Sequence, residues 1–397
     1  MIKSIRIVNF KSLGDVTLHL DKFNCLIGMN GAGKSSTLQA IDFLSQLMLG
    51  DVSGWLEQRG WSIGDLNCKV RKESNITFHV SFQTSTGEIL TWTGAFNRTL
   101  KRCSTEVIVD QAPLKPVDKY FRSDGQTFSV DGKPSQPINF EYEGSLLSGL
   151  KDSELPAQLL EFRNALRQIR SLELLSPHLL RKSARSSDHD IGAGGEKLSA
   201  FLDNIKGERK ESLIVLLKRF YPALMDFKVV SQRSGWKKLS VFEQFAGQKL
   251  ETEASHMNDG LLRILAVLTQ ADSDRSLILL DEIENGINQE IVETLVETLV
   301  ASHQQMLVTT HSPLILNYLD DNLARQAVQF IYKTPEGESR IRPFFEIPRI
   351  GEKLSVMGPG DAFVDTDLKL LTQECIELDG QIASSSKALS TAVKGSK

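Results

Sequence analysis

An α/β fold built on a mixed sheet is what this sequence predicts, and three segments carry the prediction. In the first, the apolar run Phe23 to Ile27 leads into a glycine-rich loop, GMNGAGKSS (Gly28 to Ser36), and then a helical pattern after Lys34. In the second, SLILLDEIENG (Ser276 to Gly286), four apolar residues read as a buried parallel strand that ends in two acids. In the third, the apolar strand QMLVT runs into Thr309, Thr310, His311, Ser312 and Pro313. Sheets of this class bind ligands at the carboxyl ends of their strands, where all three segments place their polar residues.

The remaining elements follow in order. Ile5, Ile7 and Phe10 mark a first strand and Val16 to Leu20 a second. From about Asn75 to Glu143, alternating Thr, Val and Phe with Gly- or Asn-bearing turns predict a β-rich stretch. Between Leu155 and Phe220 the period becomes helical, interrupted by Pro177 and the loop SARSSDHDIGAGGEK. FKVVSQRSGWKKLSVFE reads as a hairpin turning at Ser234-Gly235. A helix, the strand Leu277 to Leu280, another helix and the strand Gln305 to Thr309 follow Ser255. The terminal SSSKALSTAVKGSK is small and polar, and is expected to be disordered.

Composition narrows the function classes. The chain has 397 residues, 41% hydrophobic and 24% charged, which suffices for a substantial core. A net charge of −4 gives no global attraction for nucleic acid, so any DNA contact needs a local patch. The four cysteines are scattered without CxxC spacing, which argues against a zinc site and for a reducing compartment. No apolar run approaches the 18 residues of a membrane span, and the N-terminus has no secretion signal. A cytoplasmic protein with no membrane partner is expected.

The three segments have a shared chemistry. GMNGAGKSS matches G-x-x-x-x-G-K-[ST], in which backbone N–H groups and a helix N-terminus surround phosphate oxygens. Gly28, Asn30, Gly31, Ala32, Gly33, Lys34, Ser35 and Ser36 are the candidate nucleotide contacts. Lys34 is expected on the β- and γ-phosphates of ATP, and the Ser35 hydroxyl on Mg²⁺. Asp281 would hold the same Mg²⁺ through water, while Glu282 would polarise the attacking water. His311, at a strand end about thirty residues on, would hydrogen-bond the γ-phosphate or that water. Asn258, Asp259 and Gly260 precede an apolar helix and form a candidate anion site, the plainer account being an ordinary helix cap.

In this order the motifs resemble those of ABC-type ATPases of the RecF, OLD and structural-maintenance-of-chromosomes (SMC) kind. The resemblance rests on IRIVNFKSLGDVTLHLDKFNCLIGMNGAGKSS, MNDGLLR, LILLDEIENGI and TTHSP, covering roughly residues 1–50 and 250–320, with GPGDAF (Gly358 to Phe363) as a further similar segment. It implies an ABC-type P-loop NTPase head with a β-rich insertion in its first lobe and a helical middle region. The corresponding boundaries are a first lobe at 1–150, a helical and hairpin region at 151–250, a second lobe at 251–380 and a tail at 381–397. It also implies that two heads sandwich two ATPs, with Asn258, Asp259 and Gly260 reaching the partner chain's γ-phosphate. The family's signature starts with serine where this chain has Asn258. Gln58, in SGWLEQRGW, is the choice for the glutamine loop, since Gln39, Gln46 and Gln83 fall in helix or strand patterns. Asn285 to Asn288 would join the two sites, and Lys11 is either a nucleotide or DNA contact or a plain surface lysine.

Three functional classes remain open. One is the ATPase component of an anti-phage or toxin-like module that controls a separate effector protein, suggested by a compact head without long coiled-coil arms. Another is a repair-type ATPase that grips DNA through Arg181, Lys182, Arg233, Lys237 and Lys238, beside Trp236. The third is a nucleotide-dependent scaffold without turnover. A built-in nuclease is not expected, because Glu346, Asp361, Asp365 and Asp367 read as helix caps and solvated acids. A homodimer or higher oligomer is expected in each case.

Overall fold

The computed structural model describes residues 1–110, 119–186, 190–271 and 273–394, with side chains in the last helix as far as Gln381. Its centre is five parallel strands in the order β10 (Ile169–Ser171), β14 (Leu277–Leu280), β15 (Gln305–Thr309), β3 (Phe23–Ile27) and β16 (Val328–Lys333). The strands β17 (Ser339–Pro343), β2 (Leu13–His19) and β1 (Ile2–Phe10) continue the sheet. A wing of antiparallel strands then follows: β4 (Asn75–Gln83), β5 (Ile89–Asn97), β6 (Arg102–Asp110), β7 (Lys119–Ser123), β8 (Thr127–Val130) and β9 (Gln136–Pro137). The result is one 14-stranded mixed sheet, the α/β architecture that the sequence predicts. Both of its edges are short strands, Ile169–Ser171 at one and Gln136–Pro137 at the other.

The strands β14, β15 and β3 are buried throughout because each feeds two cores. Phe23, Cys25 and Ile27 of β3 face one cluster and Leu26 the other. Ile278 and Leu280 of β14 likewise oppose Leu277 and Leu279, and Met306 and Val308 of β15 oppose Leu307. Helices cover both faces, as a parallel sheet requires. The helix Lys34–Leu49 lies on one of them, burying Leu38, Ile41, Phe43, Leu44 and Leu47. It stops at Gly50, whose left-handed φ of 76° lets its N–H reach the Gln46 carbonyl at 2.9 Å. Phe43 of this helix also stacks on the wing, with ring centroids 6.3 Å from Phe78 and 5.1 Å from Phe96.

Alternation sets the wing as well. Ile76, Phe78, Val80 and Phe82 of β4 point inward while the residues between them are half-exposed. The fully buried Glu106 of β6 accepts hydrogen bonds from Trp92 Nε1 (3.1 Å), Ser145 Oγ (2.5 Å) and Leu146 N (2.6 Å). It thereby ties the wing to the helical turn Leu146–Gly149.

The region expected to be helical also contains a strand. β10 lies between the helices Ala157–Arg167 and Pro177–Leu180 and pairs in parallel with β14. The predicted hairpin forms between β11 (Leu224–Ser231) and β12 (Lys237–Phe245), with Ser234 and Gly235 at φ 74° and 81°. A third strand, β13 (Gln248–Glu253), completes a small separate sheet. GPGDAF opens the short helix Pro359–Val364, which packs on the helix Pro313–Asn317 directly after His311. Gly360 N–H donates to Asn317 Oδ1 at 2.8 Å, and a Cβ on Gly360 would lie 2.3 Å from the Pro313 carbonyl oxygen.

At the C-terminus the structure corrects an expectation. Segment 381–394, read as a disordered tail, is the end of the helix Leu368–Lys394, and 395–397 lie outside the described residues. Alanine, leucine and lysine among its serines favour helix, and Gly395 is the first glycine after Gly380.

Candidate nucleotide site

The loop between β3 and the helix Lys34–Leu49 closes around its own backbone. Gly28 has a φ of 154°, and a Cβ there would lie 2.2 Å from the Ile331 carbonyl oxygen of β16. Gly33, at φ 119°, passes so close to Ser339 that a Cβ would lie 2.4 Å from its hydroxyl. Side chains at either position would push the loop off β16 and β17. Ser339 Oγ donates to the Ala32 carbonyl at 2.6 Å and so braces the loop from β17. Lys34 lies buried at the centre, its ammonium donating to the carbonyls of Gly28 (2.9 Å) and Met29 (3.2 Å).

The carboxyl ends of β14 and β15 complete the floor. Asp281 receives Ser35 Oγ at 2.9 Å and Thr309 Oγ1 at 2.5 Å, linking the loop to both strands. The same Thr309 hydroxyl accepts from Glu282 N at 2.8 Å. Glu282 sits at φ 46°, a left-handed conformation that a non-glycine residue holds only when its surroundings impose it. That turn aims its carboxylate into a cleft of about 480 Å³ lined by Ser12, Asn30, Gly31, Gly33, Lys34, Ser35, Ser36, Glu282, His311 and Lys333. His311 Nε2 is 3.9 Å from Glu282 Oε1, close enough for charge to be felt but beyond a hydrogen bond. Glu284 Oε1 accepts the His311 backbone N–H at 2.9 Å.

The electrostatics follow from burial against three carboxylates. Burial lowers Lys34 to about 8, with Asp281, Glu282 and Glu284 opposing the shift. His311 is also lowered, by burial first and by Lys34 second, so its imidazole is neutral near pH 7. Ser35 and Asp281 bring hydroxyl and carboxylate oxygens together, a hard-oxygen pair that suits Mg²⁺. Among the described residues, no group of three or more His, Cys, Asp or Glu is placed to hold a metal.

Other expected residues lie elsewhere. Ala32 is buried in the loop beneath the cleft. Gln58 is exposed on the helix Val52–Arg59 and does not line the cleft. The strand flanking β14 is β10, and two residues beyond it is Glu173. Glu173 receives Gln39 Nε2 and Arg59 Nη1, the latter at 3.2 Å, and burial raises its pKa. Asn258 caps the helix Asp259–Ala271 through Oδ1, which accepts from Leu261 N at 2.7 Å. Asp259 pairs with Arg181, which also donates to the Met257 carbonyl at 2.8 Å. Asn285 is exposed, and Gly260 packs on Gly286, whose carbonyl oxygen would be 3.2 Å from a Cβ on Gly260.

The candidate DNA contacts are largely neutralised by neighbouring acids. Lys237 pairs with Asp203 and Lys238 with Glu253, both at 2.5 Å. The Arg185 guanidinium lies over the Trp236 ring, 5.0 Å from its centroid. Asp367 caps the last helix, accepting from Lys369 N at 2.8 Å and Leu370 N at 3.2 Å, and Asp365 pairs with Lys353. Lys11 is no plain surface lysine. Its ammonium sits 3.2 Å from the Trp61 ring centroid and donates to Gln39 Oε1 at 2.8 Å, and burial lowers it to about 8. It lines a second cavity of about 590 Å³, which shares Ser12 and Lys333 with the first.

Known proteins resemble this chain in sequence and in fold. A family described as "AAA ATPase domain" matches residues 1–90, and one described as "AAA domain, putative AbiEii toxin, Type IV TA system" matches residues 121–317. An OLD nuclease of Thermus scotoductus is 34% identical over 116 residues, 29% of this chain and 20% of the relative. The chain thus matches about a fifth of that relative's length. Among solved structures, an SMC head bound to the C-terminal winged-helix domain of ScpA aligns with a TM-score of 0.55 at 14% identity, covering 86% of this chain and 96% of the other. An SMC head with an extended coiled coil, bound to the C-terminal domain of ScpA derived from Pyrococcus furiosus, aligns at 0.50 and 14%, covering 89% and 99%. At that identity the two structures speak to the fold alone. No helix among the described residues is long and apolar enough to cross a membrane. The chain thus resembles AAA-type ATPase domains in sequence over residues 1–90 and 121–317, an OLD nuclease over a shorter stretch, and SMC heads in fold.

Proposed function

We propose that this protein binds Mg-ATP in the Gly28–Ser36 loop and hydrolyses it between two copies of itself, as the ATPase component of a defence or toxin-like module that controls a separate effector. The observation that carries the hydrolysis is the Glu282 turn. A strained residue places a carboxylate in the phosphate cleft, beside a neutral His311 and opposite Lys34. Lys34 meets the β- and γ-phosphate oxygens. Mg²⁺ held by Ser35 and Asp281 would neutralise charge on those oxygens. Glu282 takes a proton from the attacking water as its oxygen bonds to the γ-phosphorus and the bond to the ADP oxygen breaks. His311 hydrogen-bonds the γ-phosphate or that water. The adjoining cavity with Lys11 and Trp61 is contiguous with the phosphate cleft and suits the base and ribose.

The effector reading draws on the toxin–antitoxin description of the matching family and on exposed apolar residues of the small sheet. Met225, Val230, Trp236, Phe245 and Leu250 are each at least 40% exposed, apolar surface suited to a protein partner. The ion pairs of Lys237 and Lys238 leave the DNA-gripping alternative with less free positive charge.

The test is phosphate release together with mass in solution, for wild type, Lys34→Ala and Glu282→Gln, with and without Mg-ATP. Lys34→Ala loses nucleotide binding; Glu282→Gln binds ATP, loses at least 100-fold in turnover and accumulates as a dimer. A monomeric, fully active Glu282→Gln protein would contradict the mechanism.

A further inference from the structure

The helix Asp259–Ala271 touches the Glu282 turn at two points, and both lie on one of its faces. Gly260 packs on the Gly286 carbonyl, where a Cβ would come to 3.2 Å. One turn further on, Arg263 Nη2 donates to the carbonyls of Asp281 (2.9 Å) and Glu282 (3.0 Å). These are the carbonyl of the residue that follows the buried strand and that of the strained residue itself. The backbone of Glu282 and Ile283 is also held from β15: Thr309 Oγ1 accepts from Glu282 N, and the Thr309 carbonyl from Ile283 N at 3.2 Å. Arg263 is therefore the strut from the helix side, with the carboxylates of Asp281, Glu282 and Glu284 acting on its charge.

We infer that Arg263 is a positioning residue that couples the Asn258–Gly260 segment to the orientation of Glu282. This inference rests on the proposed reading, in which that segment meets the partner's nucleotide and Glu282 activates water. A helix is stiff over one turn, so a displacement of its start on engagement moves Gly260 and Arg263 together. Both push on the same six-residue turn, at Asp281–Glu282 and at Gly286. Glu282 is the residue that responds, because its left-handed backbone is held by contacts and not by its own preference. Arginine suits the role: its guanidinium stays charged when buried, and Nη2 alone carries two N–H donors in a fixed plane for the two carbonyls. Arg263 does not line the cleft.

Two measurements on Arg263→Ala and Arg263→Lys test the coupling. In turnover, Arg263→Ala is expected to lose at least tenfold in kcat while its KM for Mg-ATP stays within twofold, because the Lys34 cradle is untouched. It still gains dimer mass in Mg-ATP, and Arg263→Lys recovers part of kcat. In nucleotide-free hydrogen exchange, peptides covering 282–287 exchange at least tenfold faster in Arg263→Ala, while those covering 28–36 keep wild-type rates. Wild-type kcat together with wild-type exchange at 282–287 overturns the inference. So does faster exchange spread over the whole helix and sheet, or a loss of dimer mass with turnover, which would make Arg263 an interface or folding residue. A wild-type protein without turnover removes the hydrolysis reading, and the exchange measurement still decides on Arg263.

Discussion

Lys34 meets two opposed demands, burial against the loop carbonyls and a charge strong enough for phosphate. The cost is visible in its pKa, pulled down to about 8 by burial even with three carboxylates nearby. ATP needs the protonated form, so the sign is set: affinity is full below about pH 8 and falls as pH rises through it. The Kd for Mg-ATP is expected to be flat from pH 6.5 to 7.5 and to rise toward tenfold per unit above 8. Titration by nucleotide fluorescence checks this, and a flat profile to pH 9.5 would show that Lys34 does not set the affinity. At this scale the site was legible wherever chemistry sits within a few residues of a strand end, as in Lys34, Ser35, Asp281, Glu282 and His311. Thr309, Arg263, Glu284 and Ser339 escaped the reading because register gives them their roles. Thr309 reaches Glu282 across 27 positions, and Arg263 reaches Asp281 across 18.

The elements that carry these residues depend on polar pins inside apolar packing. Glu106 is one, its carboxyl raised by burial to about 7 despite three hydrogen bonds that favour the charged form. Its folded pKa lies above the unfolded value, so folding binds a proton between about pH 4.5 and 7 and stability falls as pH rises through that window. Thermal midpoints from pH 5 to 7.5 are expected to fall in wild type and to fall less in Glu106→Gln. Equal slopes in the two proteins would show that Glu106 is not the group responsible. Element prediction succeeded for β3, β14 and β15, whose mostly apolar runs report burial on both faces. It missed β10 because three residues inside a helical stretch carry no period of their own. With β10 unseen, Glu173, two residues past it and bonded to Gln39 and Arg59, was not among the candidate residues.

In the whole molecule, strands from residues 2–27, 75–137, 169–171, 277–280 and 305–343 share one sheet, and the loop strand β3 lies between β15 and β16. Nucleotide binding is therefore anchored in the middle of the hydrogen-bonded structure and not in a detachable lobe. Heating is expected to give one main transition whose midpoint rises with Mg-ATP, by a few degrees at about 100 times Kd, where linkage supplies about 2.7 kcal/mol. Two transitions, of which one ignores nucleotide, would instead divide the chain near the expected boundary at 150. The α/β class was legible because the strand-end motifs imply it. The continuity of the sheet was not, since it depends on pairings such as β3 with β16 across some 300 residues. The two edge strands bear on growth. One offers three residues of backbone, and the other offers two, one of them a proline with no N–H to give. A second copy has little backbone to zip onto at either rim, so stacking rim to rim into an endless ribbon is suppressed, and association is left to surfaces that can close on themselves and stop.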